Sequence, residues 1–383
     1  MRYRTLGKTG LEVSEIGFGP EWMDGTPEQT REIAEVLREA GVNYMDCWMA
    51  DPHIRENLGF AMRGHTDEWI VQGHIGSCWV DGQYKRSRDV SLVRPAFEDE
   101  LRLLGVEHFE IGMMHYIDSV DELIDSLEGP YYGYVQELLR AETIRHVGLS
   151  THNPEVALEA VRRGAVEVIM FSINPAFDLL PPSEDVNDLF GDFADAGEQV
   201  EPLRAELYSL CEENDVALTV MKPYAGGRLL NAEQSPFGVA LTPVQCIHYC
   251  LTRPAVASVL GGYKTVGEAQ DALAYEDATD ADNNAKLLDL LADVPDDERT
   301  ARFVCTLVFV DTDDSEIVAH GSCEGKIGYE ERGDNGFGYD PLFYADAFDG
   351  KLTTAEVPSE QKDAISHRGE ALRAFIREFE KRD

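Results

Sequence analysis

From Arg2 to Tyr275 the chain alternates short apolar runs with helical periods, and that alternation restricts the fold more than anything else in it. Strand candidates fall at 15–18, 43–47, 69–74, 109–115, 146–150, 168–172, 217–221 and 257–260. Amphipathic helical patterns lie between them, among them 88–104, 154–163, 204–214 and 242–251, with a last one at 266–274. Two shorter runs, 2–6 and 11–14, meet at the turn-forming residues 7–10 and read as a leading hairpin. Eight strand–helix repeats behind a hairpin point to an α/β fold, a closed (β/α)8 TIM barrel rather than an open doubly wound sheet. The segment 175–202, rich in Asp, Pro and Gly, is too long for an ordinary connection and is expected to cover the barrel mouth.

Chemistry in such a barrel belongs at the C-terminal ends of the strands. Asp46 is placed there, at the end of strand 43–47 and before a polar loop. The formal net charge of −39 argues against nucleic acid or an anionic membrane surface as partner, because both need a basic footprint. None of the seven cysteines forms a CxxC pair, so neither a disulfide framework nor a cysteine metal site is expected. The start of the chain has no apolar leader and no run is long enough to span a membrane, so a cytoplasmic protein is expected.

The stretches MRYRTLGKTGLEVSEIGFG, FEIGMMHYID, IRHVGLSTHNPE, MFSINPAFD, LTVMKPYAGGRLL and VASVLGGYKTVGEA together resemble the aldo-keto reductase family, in order, over residues 1–275. The resemblance implies NADPH-linked reduction of a small carbonyl compound by four side chains. A Tyr protonates the carbonyl oxygen, Lys and Asp tune it, and a His orients the substrate. Asp46 and His115 match their positions. The Tyr position falls on Asp51, and the Lys position falls on His74. Two readings follow: His74 or His53 replaces the missing acid, with Asp46 tuning it, or the barrel has lost carbonyl chemistry. Cofactor positions are mixed. Ser150 stands where the family holds the nicotinamide carboxamide, but Thr151, Met170 and Met221 depart from the pattern. Gly262, Lys264, Thr265 and Glu268 fit the adenosine-phosphate end, and Lys264 favours NADPH over NADH.

After Tyr275 the text changes, and 276–383 reads as a second domain. Two strands, 302–310 and 316–323, flank a turn at 311–315. A glycine-dense loop (333–343), a short strand and a helix capped at Ser359 follow, and a final amphipathic helix ends the pattern. GFGYDPLF, TAEVPSEQK and ISHRGEAL resemble the inosine triphosphate pyrophosphatase family, which hydrolyses non-standard purine nucleoside triphosphates. Gly336 and Gly338 would let backbone approach a flat base, Phe337 and Tyr339 offer stacking surface, and Asp340 can accept a base or ribose hydrogen bond. Lys362, His367 and Arg368 supply donors to a 6-oxo purine and to phosphate. Only the second half of that family is present. Its phosphate loop and acidic Mg²⁺ cluster have no counterpart, since Asn283 and Lys286 sit in a helical pattern. No metal ligands are assigned, and Mg²⁺ is expected only if this part hydrolyses nucleotides. Purine nucleotide binding without turnover is the third reading. The family is dimeric, which implies a homodimer here, and a half domain is expected to leave exposed strand edges.

Overall fold

A computed structural model describes the chain except at positions 192, 194, 195, 198, 278, 279, 293, 297, 311–315, 380, 382 and 383, and gives backbone alone at 276, 277 and 280–282. The contacts divide it into two compact units, Met1–Glu276 and Asp277–Asp383.

In the first unit, strands β1 (Tyr3–Thr5) and β2 (Glu12–Ser14) form the leading antiparallel hairpin. The barrel strands are β3 (Ile16–Phe18), β4 (Tyr44–Cys47), β5 (Ile70–Ile75), β8 (Phe109–Met114), β9 (Ile144–Thr151), β10 (Val168–Ser172), β11 (Ala217–Met221) and β12 (Val256–Gly261), which pair in parallel and close into a ring. The TIM-barrel expectation holds. Between β5 and β8 the chain adds what the sequence reading lacked, a second antiparallel hairpin of β6 (Ser77–Val80) and β7 (Gln83–Arg86). Gly76 lets the chain break from β5 into β6. Its φ is +104°, and a Cβ there would sit 2.7 Å from the Ser87 carbonyl oxygen.

Strand alternation decides which groups reach the interior. Met45 and Cys47 of β4 pack outward against the helical layer, whereas Tyr44 joins the barrel interior with Ile111, Met113, Val168 and Met170. Asp46 therefore shares the inner face with Tyr44, and His115 continues the inner row of Ile111 and Met113. Leu6 and Val13 of the first hairpin join the same interior cluster. Each such fully buried side chain contributes about 1.5–3 kcal/mol. Helix starts are set locally. For α1 (Pro27–Glu39), the Thr26 hydroxyl accepts from Gln29 N–H and the Gln29 side chain accepts from Thr26 N–H, with Pro27 at the first helical position. Replacing Thr26 by Ala would cost about 1 kcal/mol.

The second unit is a three-stranded antiparallel sheet, β13 (Thr300–Val310), β14 (Glu316–Ile327) and β15 (Phe343–Ala345). Helix α10 (Asp280–Leu290) precedes it and carries Asn283 and Lys286, as their helical pattern implied. Helices α11 (Ser359–Ile365) and α12 (His367–Phe379) follow. The expected turn at 311–315 lies outside the described residues. Two local expectations are corrected. Ser359 is the first residue of α11 and not its cap, which is Pro358 without a side-chain bond. The short strand expected at the start of TTAEVPSEQK reduces to a single bridge, Thr353 to Tyr344. One face of β13 stays open, with Val304, Val308 and Val310 between 56% and 69% exposed.

Candidate functional site

At the C-terminal ends of the barrel strands lies a cavity of about 540 Å³, bordered by Glu21, Trp22, Asp46, Trp48, His74, Tyr84, His115, Tyr116, Ser150, His152 and Lys222 among others. Three sequence-predicted residues meet there. His74 Nε2 lies 2.7 Å from Asp46 Oδ1, and His74 Nδ1 lies 2.7 Å from His115 Nδ1. The row continues to a residue the sequence reading missed, since the Tyr84 hydroxyl is 2.7 Å from His115 Nε2. Tyr84 comes from β7 of the inserted hairpin.

The partners assign the protons. An Asp46 carboxylate needs His74 Nε2–H, so His74 Nδ1 accepts from His115 Nδ1–H. His115 Nε2 is then left to accept from the Tyr84 hydroxyl. Burial, and then the neighbouring His74, hold the His115 pKa well below its ordinary value, which keeps the ring neutral. Burial pushes the Tyr84 phenol up to about 12, so it keeps its proton at neutral pH. The row is fixed from several sides. Trp48 stacks on His115 with ring centroids 6.0 Å apart, and its indole N–H donates to Glu21 at 2.8 Å. Arg88 holds the His115 and Tyr116 carbonyls at 2.6 and 2.9 Å. Glu100, paired at 3.0 Å with the buried Arg55, accepts the His74 backbone N–H. Beneath Asp46, Gln72 donates to its carboxylate and accepts from Tyr44.

Beside this row stands a second group. Asp118 accepts from Thr151 at 2.9 Å and from His152 Nδ1 at 2.8 Å, and Lys222 Nζ lies 2.8 Å from His152 Nε2. Burial, then Lys222, bring His152 down to about 4, so it is a neutral acceptor. Burial pushes Asp118 up, but its bonds from His152 and Thr151 outweigh that and hold it below the usual carboxylate range. Burial lowers the Lys222 ammonium as well.

The remaining predicted residues are placed unevenly. Asp51, at the expected Tyr position, caps helix α2 (Pro52–Met62) by accepting from His53 N–H. The His53 ring faces the Asp24 and Gly25 carbonyls and does not border the cavity, which removes it as a stand-in for the acid. Ser150 borders the cavity while its hydroxyl accepts from Tyr116 N–H, and Met170 and Met221 form apolar wall. Gly262, Lys264, Glu268 and Asp271 border the far end. There the Lys264 ammonium lies 4.5 Å over the Trp22 ring, and Glu268 accepts from Lys264 N–H. Thr265 is absent from the wall, because its hydroxyl accepts from Glu268 N–H at the start of the following helix.

In the second unit Asp340 is buried and turned inward. It accepts from Phe337 N–H at 2.8 Å, from the Thr354 hydroxyl at 2.8 Å and from Lys362. Gly336, with φ +88°, is required by this turn, since a Cβ there would strike the Asp340 carboxylate. The Phe337 ring is 57% exposed, with Lys362 Nζ and Arg368 Cζ at 4.7 and 4.9 Å from its centroid. Tyr339 is exposed, Gly338 lies in the same loop, and His367 stacks on Phe303 at 5.1 Å. Among the described residues no three His, Cys, Asp or Glu side chains converge as a metal site.

The Ham1 family model matches residues 259–378. A dITP/XTP pyrophosphatase of Cutibacterium acnes is 54% identical over 99 residues, 26% of this chain and 48% of that protein. The dITP/XTP pyrophosphatase of Escherichia coli K12 is 48% identical over 120 residues, 31% and 59% of the two chains. The chain thus spans about half the length of the curated relatives it matches. The family match begins inside β12, ahead of the boundary between the two units. Among solved structures, an aldo-keto reductase from Bacillus halodurans in its holo form superposes with a TM-score of 0.57 at 23% identity, covering 73% of this chain and 92% of that one. A Pseudomonas aeruginosa protein assigned to the aldo-keto reductases gives 0.52 at 20% identity, covering 72% and 94%. The barrel fold is therefore that of the aldo-keto reductases, and the C-terminal part carries Ham1-family sequence.

Proposed function

We propose that the barrel, residues 1–275, is a carbonyl-reducing oxidoreductase of the aldo-keto reductase type, linked to NADPH, and that Tyr84 is its proton donor. The observation that carries this reading is the unbroken row Asp46–His74–His115–Tyr84, whose last hydroxyl borders the cavity. The wall is compatible with a nicotinamide dinucleotide: Met170 and Met221 offer a flat apolar surface, Ser150 a hydroxyl, and Lys264 a cation at the far end. Such a cofactor would supply the hydride.

The protein's part is the proton. With an extra proton on His74, both its ring nitrogens donate, one to Asp46 and one to His115, so His115 Nε2–H donates to the Tyr84 oxygen. The Tyr84 hydroxyl is then free to point at the substrate carbonyl. As charge grows on that oxygen, Tyr84 gives up its proton and is refilled from His115, and His115 is refilled from His74. The relay ends neutral, with His74 still donating to Asp46, and one proton from solvent resets it. His115→Ala should abolish reduction of an aldehyde panel while NADPH affinity changes little. Undiminished turnover in that variant would sink the assignment.

The exposed Phe337 ring flanked by Lys362 and Arg368 favours a second reading for residues 276–383, purine nucleotide binding with or without hydrolysis. An exposed aromatic ring with two cations close to it suits a base with an attached phosphate. Because Asp340 already accepts from Phe337, Thr354 and Lys362, we assign it to holding the loop rather than to the base. Release of pyrophosphate from ITP or XTP with Mg²⁺ would establish hydrolysis, and saturable binding without product would establish a binding role. Among the described residues no helix is long and apolar enough to cross a membrane. We further propose a cytoplasmic homodimer, which light scattering of the purified chain would check.

A further inference from the structure

Lys222 follows β11 directly and holds a φ of +56°, a left-handed conformation that residues with a side chain rarely adopt. Its carbonyl is pinned by Asn174 Nδ2 at 2.9 Å and Ala225 N–H at 3.0 Å, so the backbone around it enforces the pose. The pose delivers the ammonium to the cavity wall. Among the described residues its polar partners are His152 Nε2 and, at 3.8 Å, Met221 Sδ, and neither carries charge. His152 is held as a neutral acceptor by Asp118 on its other nitrogen. The chain has 72 acidic residues against 33 Lys and Arg, so a carboxylate partner would be easy to place. The buried arginines of the same barrel do have one, Arg55 with Glu100 and Arg204 with Asp178. Glu21, Asp118 and Asp46 favour the Lys222 charge from a distance, but among the described residues none is in ion-pair contact with it, so the ammonium faces the cavity with room for a direct anionic partner.

We infer that Lys222 receives an anionic group of the carbonyl substrate, so that the cavity takes carbonyl compounds bearing a carboxylate or a phosphate. This rests on the reductase reading of the same cavity. Geometry places the two ends of such a molecule side by side. The His152 ring lies 5.0 Å from Tyr116, which lies 6.1 Å from His115, the relay member that touches Tyr84. A carbonyl at Tyr84 and an anion at Lys222 thus share one wall. The ammonium has three donors, and His152 uses one of them.

The test needs no turnover, because Trp22 and Trp48 border the cavity and report binding by their fluorescence. The full chain is titrated with benzoate, phenyl phosphate and the neutral benzamide. The expected result is that at least one anion binds tenfold or more tightly than benzamide, that Lys222→Met erases the preference and that Lys222→Arg retains it. Whichever anion is preferred identifies the substrate group. Equal binding of all three by the unaltered protein overturns the inference without any variant. So does a preference that survives in Lys222→Met. Loss of NADPH affinity in Lys222→Met with benzoate binding intact would assign the charge to the dinucleotide and overturn it too. In parallel, 4-carboxybenzaldehyde should be reduced with a higher kcat/KM than methyl 4-formylbenzoate. Reduction of neither overturns the reductase reading alone, and the titration then decides the anion site by itself.

Discussion

The barrel mouth and the glycine loop of the second unit gather the same kinds of groups, carboxylates, bases and aromatic rings, and use their hydrogen-bonding capacity in opposite ways. At the mouth, the row from Asp46 ends in a Tyr84 hydroxyl that borders open space, and Lys222 stands beside it with donors to spare. In the loop, Asp340 is surrounded by Phe337, Thr354 and Lys362, so its acceptor capacity is consumed inside the protein. A motif indicates where chemistry once was or could be. The capacity left unsatisfied toward a cavity indicates where it can still occur.

That contrast is open to direct attack. The largest effect should come from Tyr84→Phe, which removes the end of the relay and little else. Aldehyde reduction should fall by about 10²–10⁴-fold, the usual range for a positioned general acid, with NADPH affinity unchanged. A rate within a few-fold of the parent would show that the proton takes another route. Next, Arg55→Met leaves Glu100 buried without its cation, which typically costs about 3–5 kcal/mol in denaturant unfolding. Because Glu100 also holds the His74 N–H, activity should fall alongside stability.

A smaller effect depends on pH. His152 is depressed from 6.5 to about 4 in the folded barrel, so the folded state binds that proton less readily than the unfolded chain. Stability from this group is therefore complete above pH about 6.5 and is lost as pH falls toward 4, by at most roughly 3 kcal/mol. Thermal melts over that window should show the loss, and His152→Gln should flatten it. The smallest change is expected from Lys362→Met in the loop. It should cost about 1–2 kcal/mol, because Phe337 and Thr354 still satisfy Asp340, and it should leave aldehyde reduction untouched. If it proved costlier than Arg55→Met, the loop would be the more constrained of the two regions.

The barrel was legible because strand–helix alternation repeats eight times; Asp46 followed from its place at a strand end, and His74 and His115 from the positions the family resemblance implies. Tyr84 was missed although its signal was present. Asp81–Gly82 sits between alternating residues, a strong hairpin marker, and both residues take positive φ in the structure. The phenol position that the resemblance implies is filled by Asp51, a helix cap. Lys222 was unreadable for a different reason. Its direction depends on a left-handed backbone that side-chain-bearing residues seldom adopt, and sequence pattern carries no trace of it. The inward turn of Asp340 was hidden likewise, since side-chain direction in a glycine-rich loop follows dihedral angles rather than strand parity.

The hairpin of β6 and β7 has a consequence for how such a protein can change over generations. The relay members Asp46, His74 and His115 are built into the framework, where substitution disturbs neighbours on every side. The proposed donor, Tyr84, hangs from the hairpin Ser77–Arg86, which lies outside the ring of barrel strands. A lineage could discard the usual phenol, acquire another on a ribbon, and alter the acid's reach or strength without touching the scaffold. Loss of a residue from its customary address is then weak testimony that the trade has been abandoned.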